Sequence, residues 1–452
     1  MGLAAELSRR WPRAAVTVRR ELADWRVWVT RTVVVAGAAV AGLVVVAFTR
    51  LSELAFGWFH MLETEHWWSP LLWTPACTAL IVWATNRFAK GAAGSGIPQV
   101  MAALEPEVNS ANRGLFVSLR LSVAKLGLTT MGLLGGLSLG REGPSVQVAA
   151  GVMRAIRRLL PERSTISEHG LLVAGGAAGI AAAFNTPLAG VMFAIEELSR
   201  SPEQRSSGLL VSAIVLSGLI AVSIEGNATY FGVISGVNIN RALLLPGLMV
   251  AVASGLAGGL FARLLLHSLG SRPGERLNVW RAQHPVRFGA ACGLAVAVIG
   301  VVTAGATFGS GYDYTRGLLD GSQTASSSFV FFKAAATWLT TWAGVPAGIF
   351  APSLSIGAAL GHSIATLTHE PHVPTLIALG MVGFLAAVTQ APLTSFIIVM
   401  EMVDGHAMVL SLMACALLAT GVSRVITRPL YHSLSRFQLA RLPARAGPPA
   451  GQ

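Results

Sequence analysis

Residues 171–197, "LLVAGGAAGIAAAFNTPLAGVMFAIEE", align without a gap on residues 376–402, "LIALGMVGFLAAVTQAPLTSFIIVMEM". Leu171, Gly175, Ala181, Ala182, Pro187, Leu188 and Glu196 pair with Leu376, Gly380, Ala386, Ala387, Pro392, Leu393 and Glu401. One such match between Gly/Ala-rich segments could arise by chance. A second motif recurs at nearly the same offset, however: "GREGPS" (140–145) and "GIFAPS" (348–353) share their Gly, Pro and Ser. Two motifs recurring in order make the chain an internal duplication. In each copy a Pro divides the apolar segment into pieces of about 14 residues, near 21 Å at the helical rise, which is short of the roughly 30 Å hydrocarbon core. Broken helices are expected, with their irregular backbone buried in protein or lining a cavity.

The surrounding composition is that of a membrane protein: 53% of the 452 residues are hydrophobic and 12% charged, with a mean hydropathy of +0.62. Apolar runs such as 32–49 and 407–423 are long enough to span a bilayer as helices. The alternating ten-residue pattern of a membrane barrel is absent, so the fold expected is an all-α polytopic bundle. The net charge of +12 gathers at the ends, with Arg9, Arg10, Arg13, Arg19, Arg20, Arg26 and Arg31 before the first span and five Arg from Arg424 onward. Beside apolar spans this reads as the positive-inside rule and not as a nucleic-acid surface. Both termini are therefore expected in the cytoplasm. The organisation expected is a basic N-terminal segment (1–31), a first membrane repeat (32–205), a second (206–431) and a short tail (432–452). The N-terminal segment is too long and too Arg-rich for a secretory signal. Cys77, Cys292 and Cys415 lie in apolar stretches and read as packing residues, not as a metal site.

Flanking charge orients the copies. Arg154, Arg157, Arg158, Arg163, Arg200 and Arg205 bracket the first, whereas the second lies in a stretch free of Lys and Arg from Ala334 to Ser423. The repeats are expected to be inverted, the usual build of secondary transporters.

"GSGIPQ" (94–99) shares the grammar of "GREGP" and "GIFAP". Each has Gly where backbone can approach a ligand, then Pro in what would be a first helical turn. Free N–H groups and the positive end of a helix dipole would face the motif residues, giving three candidate anion cradles. Taken singly, each motif also fits plain helix packing.

In conjunction these segments, with the late Tyr431 of "RPLYHSL", resemble the CLC family of chloride channels and chloride/proton exchangers, of the prokaryotic type without CBS domains. The resemblance runs from about residue 30 to 435. It implies a CLC-like inverted-repeat fold with broken, re-entrant helices, and a homodimer with one pathway per subunit in the lipid bilayer. It further implies a chloride site made by the hydroxyls of Ser95 and Tyr431 and the N–H groups of Ile349 and Phe350, with Gly94 and Gly143 letting backbone approach the ion. Ser in "GSGIP" points to chloride among anions. Glu142 resembles the gating and external proton-accepting glutamate: as a carboxylate it occupies an anion site, and once protonated it yields to chloride. Glu197, which faces Met402 in the repeat and breaks its pattern, matches the internal proton-transfer glutamate of the exchangers. The shared Glu196 and Glu401 suggest a structural role. The function expected is chloride/proton antiport without cofactor or metal.

Other readings stand beside this one. A passive voltage- or pH-gated chloride channel of the same family is the first alternative, and an ion pair of Glu142 with Arg141 is the bland account of that carboxylate. Ser138 in "GLSLG" matches a serine-hydrolase elbow, which would need a strand-to-helix turn. Gln99 stands where many relatives have Glu. Lys125 sits mid-span, paired with a hidden carboxylate or raising the potential for buried chloride. The 21 residues after Tyr431 leave no room for CBS domains, so nucleotide regulation is not expected.

Overall fold

The computed structural model describes residues 24–162, 164, 166–199, 207–226, 229–234, 243–270, 275–326, 328–440 and 442. Most of the expected basic N-terminal segment, the flanking Arg163, Arg200 and Arg205, and most of the tail lie outside the described residues.

The chain folds into helices α1 (Trp25–Glu65), α2 (Pro70–Phe88), α3 (Ile97–Leu104), α4 (Leu119–Leu134), α5 (Glu142–Ala155), α6 (Glu168–Phe184), α7 (Pro187–Phe193) and α8 (Ser207–Glu225). After these come α9 (Leu244–Leu269), α10 (Arg276–Gln283), α11 (Pro285–Val302), α12 (Tyr312–Leu319), α13 (Phe329–Trp342), α14 (Phe350–Thr368), α15 (Val373–Thr389), α16 (Pro392–Met402), α17 (Val409–Ile426) and α18 (Leu430–Leu439). Among them α1, α8, α9, α11, α14 and α17 with its preceding turn are long and apolar enough to cross a bilayer. Exposed Leu43, Leu54, Trp58, Leu410 and Leu417 suit contact with lipid. The protein is an all-α integral membrane protein.

The duplication extends to the order and packing of the elements. Setting α10 and α18 aside, α1 to α8 run in the same order as α9 and α11 to α17, and the pairings repeat: α5 lies on α6 as α14 lies on α15, and α6 on α8 as α15 on α17. Small residues permit the closest of these approaches. A Cβ on Gly175 of α6 would stand 2.7 Å from the Ala150 Cα of α5, and one on Gly357 of α14 would collide with the Gly380 carbonyl of α15. In this order α8 is the counterpart of α17, although the expected boundary at 205/206 would assign it to the second repeat. We propose that the boundary lies instead between α8 and α9.

Both repeats break their helix as expected, but at different lengths. The first copy gives 17 residues (α6), then 7 (α7) followed by a π-turn at Ala194–Leu198. The second gives 17 (α15), then 11 (α16). The first pieces end before the prolines because a residue preceding Pro is driven out of the α region. Asn185 (φ 58) and Gln390 (φ 61) close them in the left-handed conformation. Pro187 and Pro392 then open the next helices.

The two new N-termini are capped across the repeats. Glu401 accepts from the N–H groups of Leu188 (3.2 Å) and Ala189 (2.8 Å) at the start of α7. Glu196 accepts from those of Leu393 (3.0 Å) and Thr394 (2.6 Å) at the start of α16. Each copy supplies the carboxylate that satisfies the other's orphan donors.

Candidate functional site

The three Gly-Pro segments meet in the interior. Gly140 and Gly348, the first residues of the two duplicated motifs, exchange a pair of backbone hydrogen bonds at 2.8 and 3.0 Å. The Gly94 N–H donates to the Val345 carbonyl at 3.1 Å, and the Ala347 N–H donates to that of Gly94 at 3.2 Å. The GSG turn needs its glycines for backbone shape, since Gly94 (φ 81) and Gly96 (φ 111) both lie where a Cβ is strained. Gly143 is required for space: a Cβ there would collide with the Ser95 hydroxyl and stand 2.9 Å from the Ser95 carbonyl oxygen.

Gln99 and Lys125 hold this turn. Gln99 Oε1 accepts from the Gly96 N–H at 2.9 Å, and its amide nitrogen donates to the Ala93 carbonyl. Lys125, fully buried, donates to the carbonyls of Ala92 (2.7 Å) and Gly94 (2.6 Å). Its partners are therefore backbone carbonyls and not the hidden carboxylate that sequence left open. A carbonyl drawn toward Lys125 turns the N–H across the same trans peptide, that of Ser95, the opposite way.

Helix α18 brings Tyr431 to the same place, with its ring stacked on Phe350 at 5.9 Å between centroids and 11° between planes. The Tyr431 hydroxyl lies beside that of Ser95 and within electrostatic reach of both Glu142 and Glu197. Ile349 and Phe350 are buried at the start of α14, where the first N–H groups have no intrahelical acceptor. Glu142 is 1% exposed. Its nearest backbone donors belong to Ala351, Arg141 and Glu142 itself, but neither carboxylate oxygen reaches a hydrogen-bond partner among the described residues. The same holds for the hydroxyls of Ser95 and Tyr431. Buried polar groups are ordinarily paired, so two hydroxyl donors and a carboxylate gathered at helix starts form a cluster that could hold an anion or pass a proton.

Arg141 does not pair with Glu142, which overturns the ion-pair account. Its guanidinium donates to Glu53 (2.9 Å), the Thr49 carbonyl (3.1 Å) and the Tyr230 hydroxyl (3.3 Å), bracing the loop against α1. Ser138 offers no nucleophile: its hydroxyl is buried against that of Thr337 at 2.9 Å, and the described residues include no strand on which an elbow could sit. Cys77, Cys292 and Cys415 are free and buried.

Sequence reading passed over Lys333. It is fully buried on α13 and donates to the carbonyls of Thr307 (2.9 Å), Phe308 (3.4 Å) and Gly309 (2.9 Å). A signal was present, because Lys333 follows Lys125 at the same spacing as Gly348 follows Gly140. Two cavities that share no lining residue flank the cluster. A small one of ≈ 70 Å³ includes Gly94, Ser95, Gln99, Arg281 and Ile349. A larger one of ≈ 690 Å³ includes Glu53, Arg141, Tyr230, Ser310 and Gly311.

Comparison with known proteins gives a consistent result. Residues 77–424 match the family model described as voltage gated chloride channel. The H(+)/Cl(-) exchange transporter ClcA of Salmonella paratyphi A is 30% identical over 372 residues, covering 79% of this chain and 76% of that one. A slow cyanobacterial Cl-/H+ antiporter of known structure superposes with a TM-score of 0.78 at 23% identity, over 91% of this chain and 98% of that one. A CLC-type fluoride/proton antiporter superposes with a TM-score of 0.74 at 20% identity, over 91% and 99%.

Proposed function

The chain belongs to the voltage-gated chloride channel family, and we propose that it exchanges chloride for protons across the membrane. The observation that carries this reading is the setting of Glu142: both oxygens are buried without a hydrogen-bond partner among the described residues, as are the neighbouring hydroxyls of Ser95 and Tyr431. On this reading chloride sits between the two hydroxyls and the N–H groups of Ile349 and Phe350, with Gly94 and Gly143 giving the backbone its close approach. Partial charges hold the ion without a full-charge partner, so it can leave again. Ionised, Glu142 takes the place of an anion at the start of α5; protonated, it gives way and carries the proton. Glu197, within electrostatic reach of Tyr431, serves as the internal proton-transfer group.

The name of the ClcA relative supports exchange over passive conduction. Because fluoride and chloride antiporters share this fold, fold does not select the halide, and Ser95 in "GSGIP" supports chloride. The charge distribution supports cytoplasmic termini, and the family supports a homodimer in a bacterial inner membrane. With purified protein in vesicles, an imposed chloride gradient is expected to drive protons uphill. Chloride flux without proton movement would make the protein a channel and overturn the exchange reading.

A further inference from the structure

The turn at Gly94–Gly96 has a counterpart that the repeat comparison did not reveal. Residues 309–311 again read Gly-Ser-Gly, and they lead into α12, the element that occupies in the second repeat the place of α3 in the first. Two of the lysine bonds are duplicated: Lys125 holds Ala92 O and Gly94 O, and Lys333 holds Thr307 O and Gly309 O, with a longer third bond to Phe308 O. In both turns the lysine takes the carbonyl of the first Gly and the carbonyl two residues before it. With the Gly309 carbonyl drawn into the protein, the N–H of Ser310 across the same trans peptide points away from Lys333. That N–H makes no hydrogen bond among the described residues. Ser310 and Gly311 line the ≈ 690 Å³ cavity on the Arg141 side of Glu142.

We propose that this second turn forms an entrance site for the halide, the counterpart across the pseudo-two-fold axis of the turn that carries Ser95. It rests on the exchange reading above together with the expected role of Glu142 as the external proton-accepting glutamate, which would place the Arg141 cavity on the outer side. Independent signs of a ligand come from two buried groups. The hydroxyl of Ser355, a residue 1% exposed, has no hydrogen-bond partner among the described residues and stands directly against Gly311, the N-cap of α12, where a Cβ would collide with it. Arg141, 9% exposed, lines the same cavity with its Nε unpartnered. The site lacks a strong trap, because Glu53 takes up part of the Arg141 charge and Asp313 lines the same cavity. An entrance site has to release its ion inward, and weak partial-charge binding is suited to that.

Two measurements on the full chain test this. In crystals grown with bromide, anomalous density is expected in contact with the Ser310 nitrogen, in addition to the Ser95–Tyr431 site. In vesicles, Ser310→Cys is to be modified after folding by membrane-impermeant methanethiosulfonates, which the buried native cysteines do not encounter. A negatively charged reagent is expected to raise the half-saturating chloride concentration at the modified face several-fold, and a positively charged one to lower it. Bromide between Ser95 and Tyr431 with none at Ser310 overturns the entrance site and leaves the exchange reading intact. So does an equal effect of both reagents, which would mean bulk alone. Bromide at neither place overturns both.

Discussion

Glu142 is held where a carboxylate is costly, because neither of its oxygens reaches a hydrogen-bond partner among the described residues. The Arg141 charge beside it is directed instead to Glu53 and the Thr49 carbonyl. The neighbour is thus tied down while the carboxylate carries no such bonds among the described residues, which is what the proposed gating role requires. Glu142→Gln removes the titratable group while keeping the shape. Proton movement driven by a chloride gradient is expected to vanish while chloride flux persists. Glu197→Gln is expected to do the same, and retained pumping in either variant would remove that residue from the proton path. Gly143→Ala tests the ion site from another side, because the added methyl would displace the Ser95 hydroxyl. Losing one hydrogen bond to the anion is worth about 1.5 kcal/mol, or about tenfold weaker chloride binding, readable by calorimetric titration. Unchanged affinity would mean that Ser95 is not a ligand. The motif residues that the fold brings together were legible in sequence because each motif needs a particular side chain or a missing one. The partners of Lys125 and Arg141 were not, since backbone carbonyls and a distant Glu53 carry no local pattern.

At the scale of elements, the cross-repeat caps turn a break in each helix into a joint between the two copies. Charge-assisted bonds to helix N-termini are about twice as strong as neutral ones, and each Glu makes a pair of them. Glu196→Gln and Glu401→Gln are each expected to lower stability by about 1–3 kcal/mol, because each carboxylate accepts from two backbone N–H groups. Thermal unfolding in detergent measures this, and a variant with an unshifted midpoint would show its cap to be idle. The breaks were foreseeable from Pro187 and Pro392, but their positions were not, because Asn185 and Gln390 end the first pieces through backbone conformation that composition does not announce. The second Gly-Ser-Gly turn escaped notice for a related reason. It leads into α12 through Tyr312 and Asp313 and has no Pro to mark it as the relative of "GSGIP".

Over the whole molecule, inverted repeats ordinarily suggest that one half rocks against the other. Here the halves are tied together through the centre: Gly140 to Gly348, Gly94 to Val345 and Ala347, Ser138 to Thr337, and the two glutamate caps. A rigid-body swing would break these bonds in the low-dielectric interior, each left unmade at a cost of about 1–3 kcal/mol. Movement of the Glu142 side chain breaks none of these ties, since neither carboxylate oxygen makes a hydrogen bond among the described residues. The geometry thus favours exchange by local motion at the site over displacement of one repeat. Sequence could suggest the rocking class but not this exception, because the ties join residues about two hundred positions apart. A covalent link supplies the test. The hydroxyls of Ser138 and Thr337 lie 2.9 Å apart across the repeat interface, so Ser138→Cys with Thr337→Cys sets two thiols side by side for oxidation to a disulfide, whose formation is checked by thiol titration. With the bond formed, chloride flux and its proton coupling are expected to persist at a substantial fraction of the reduced protein's rate. Transport that stops on oxidation and returns on reduction would mean that the repeats must separate, and local gating would then have to be abandoned.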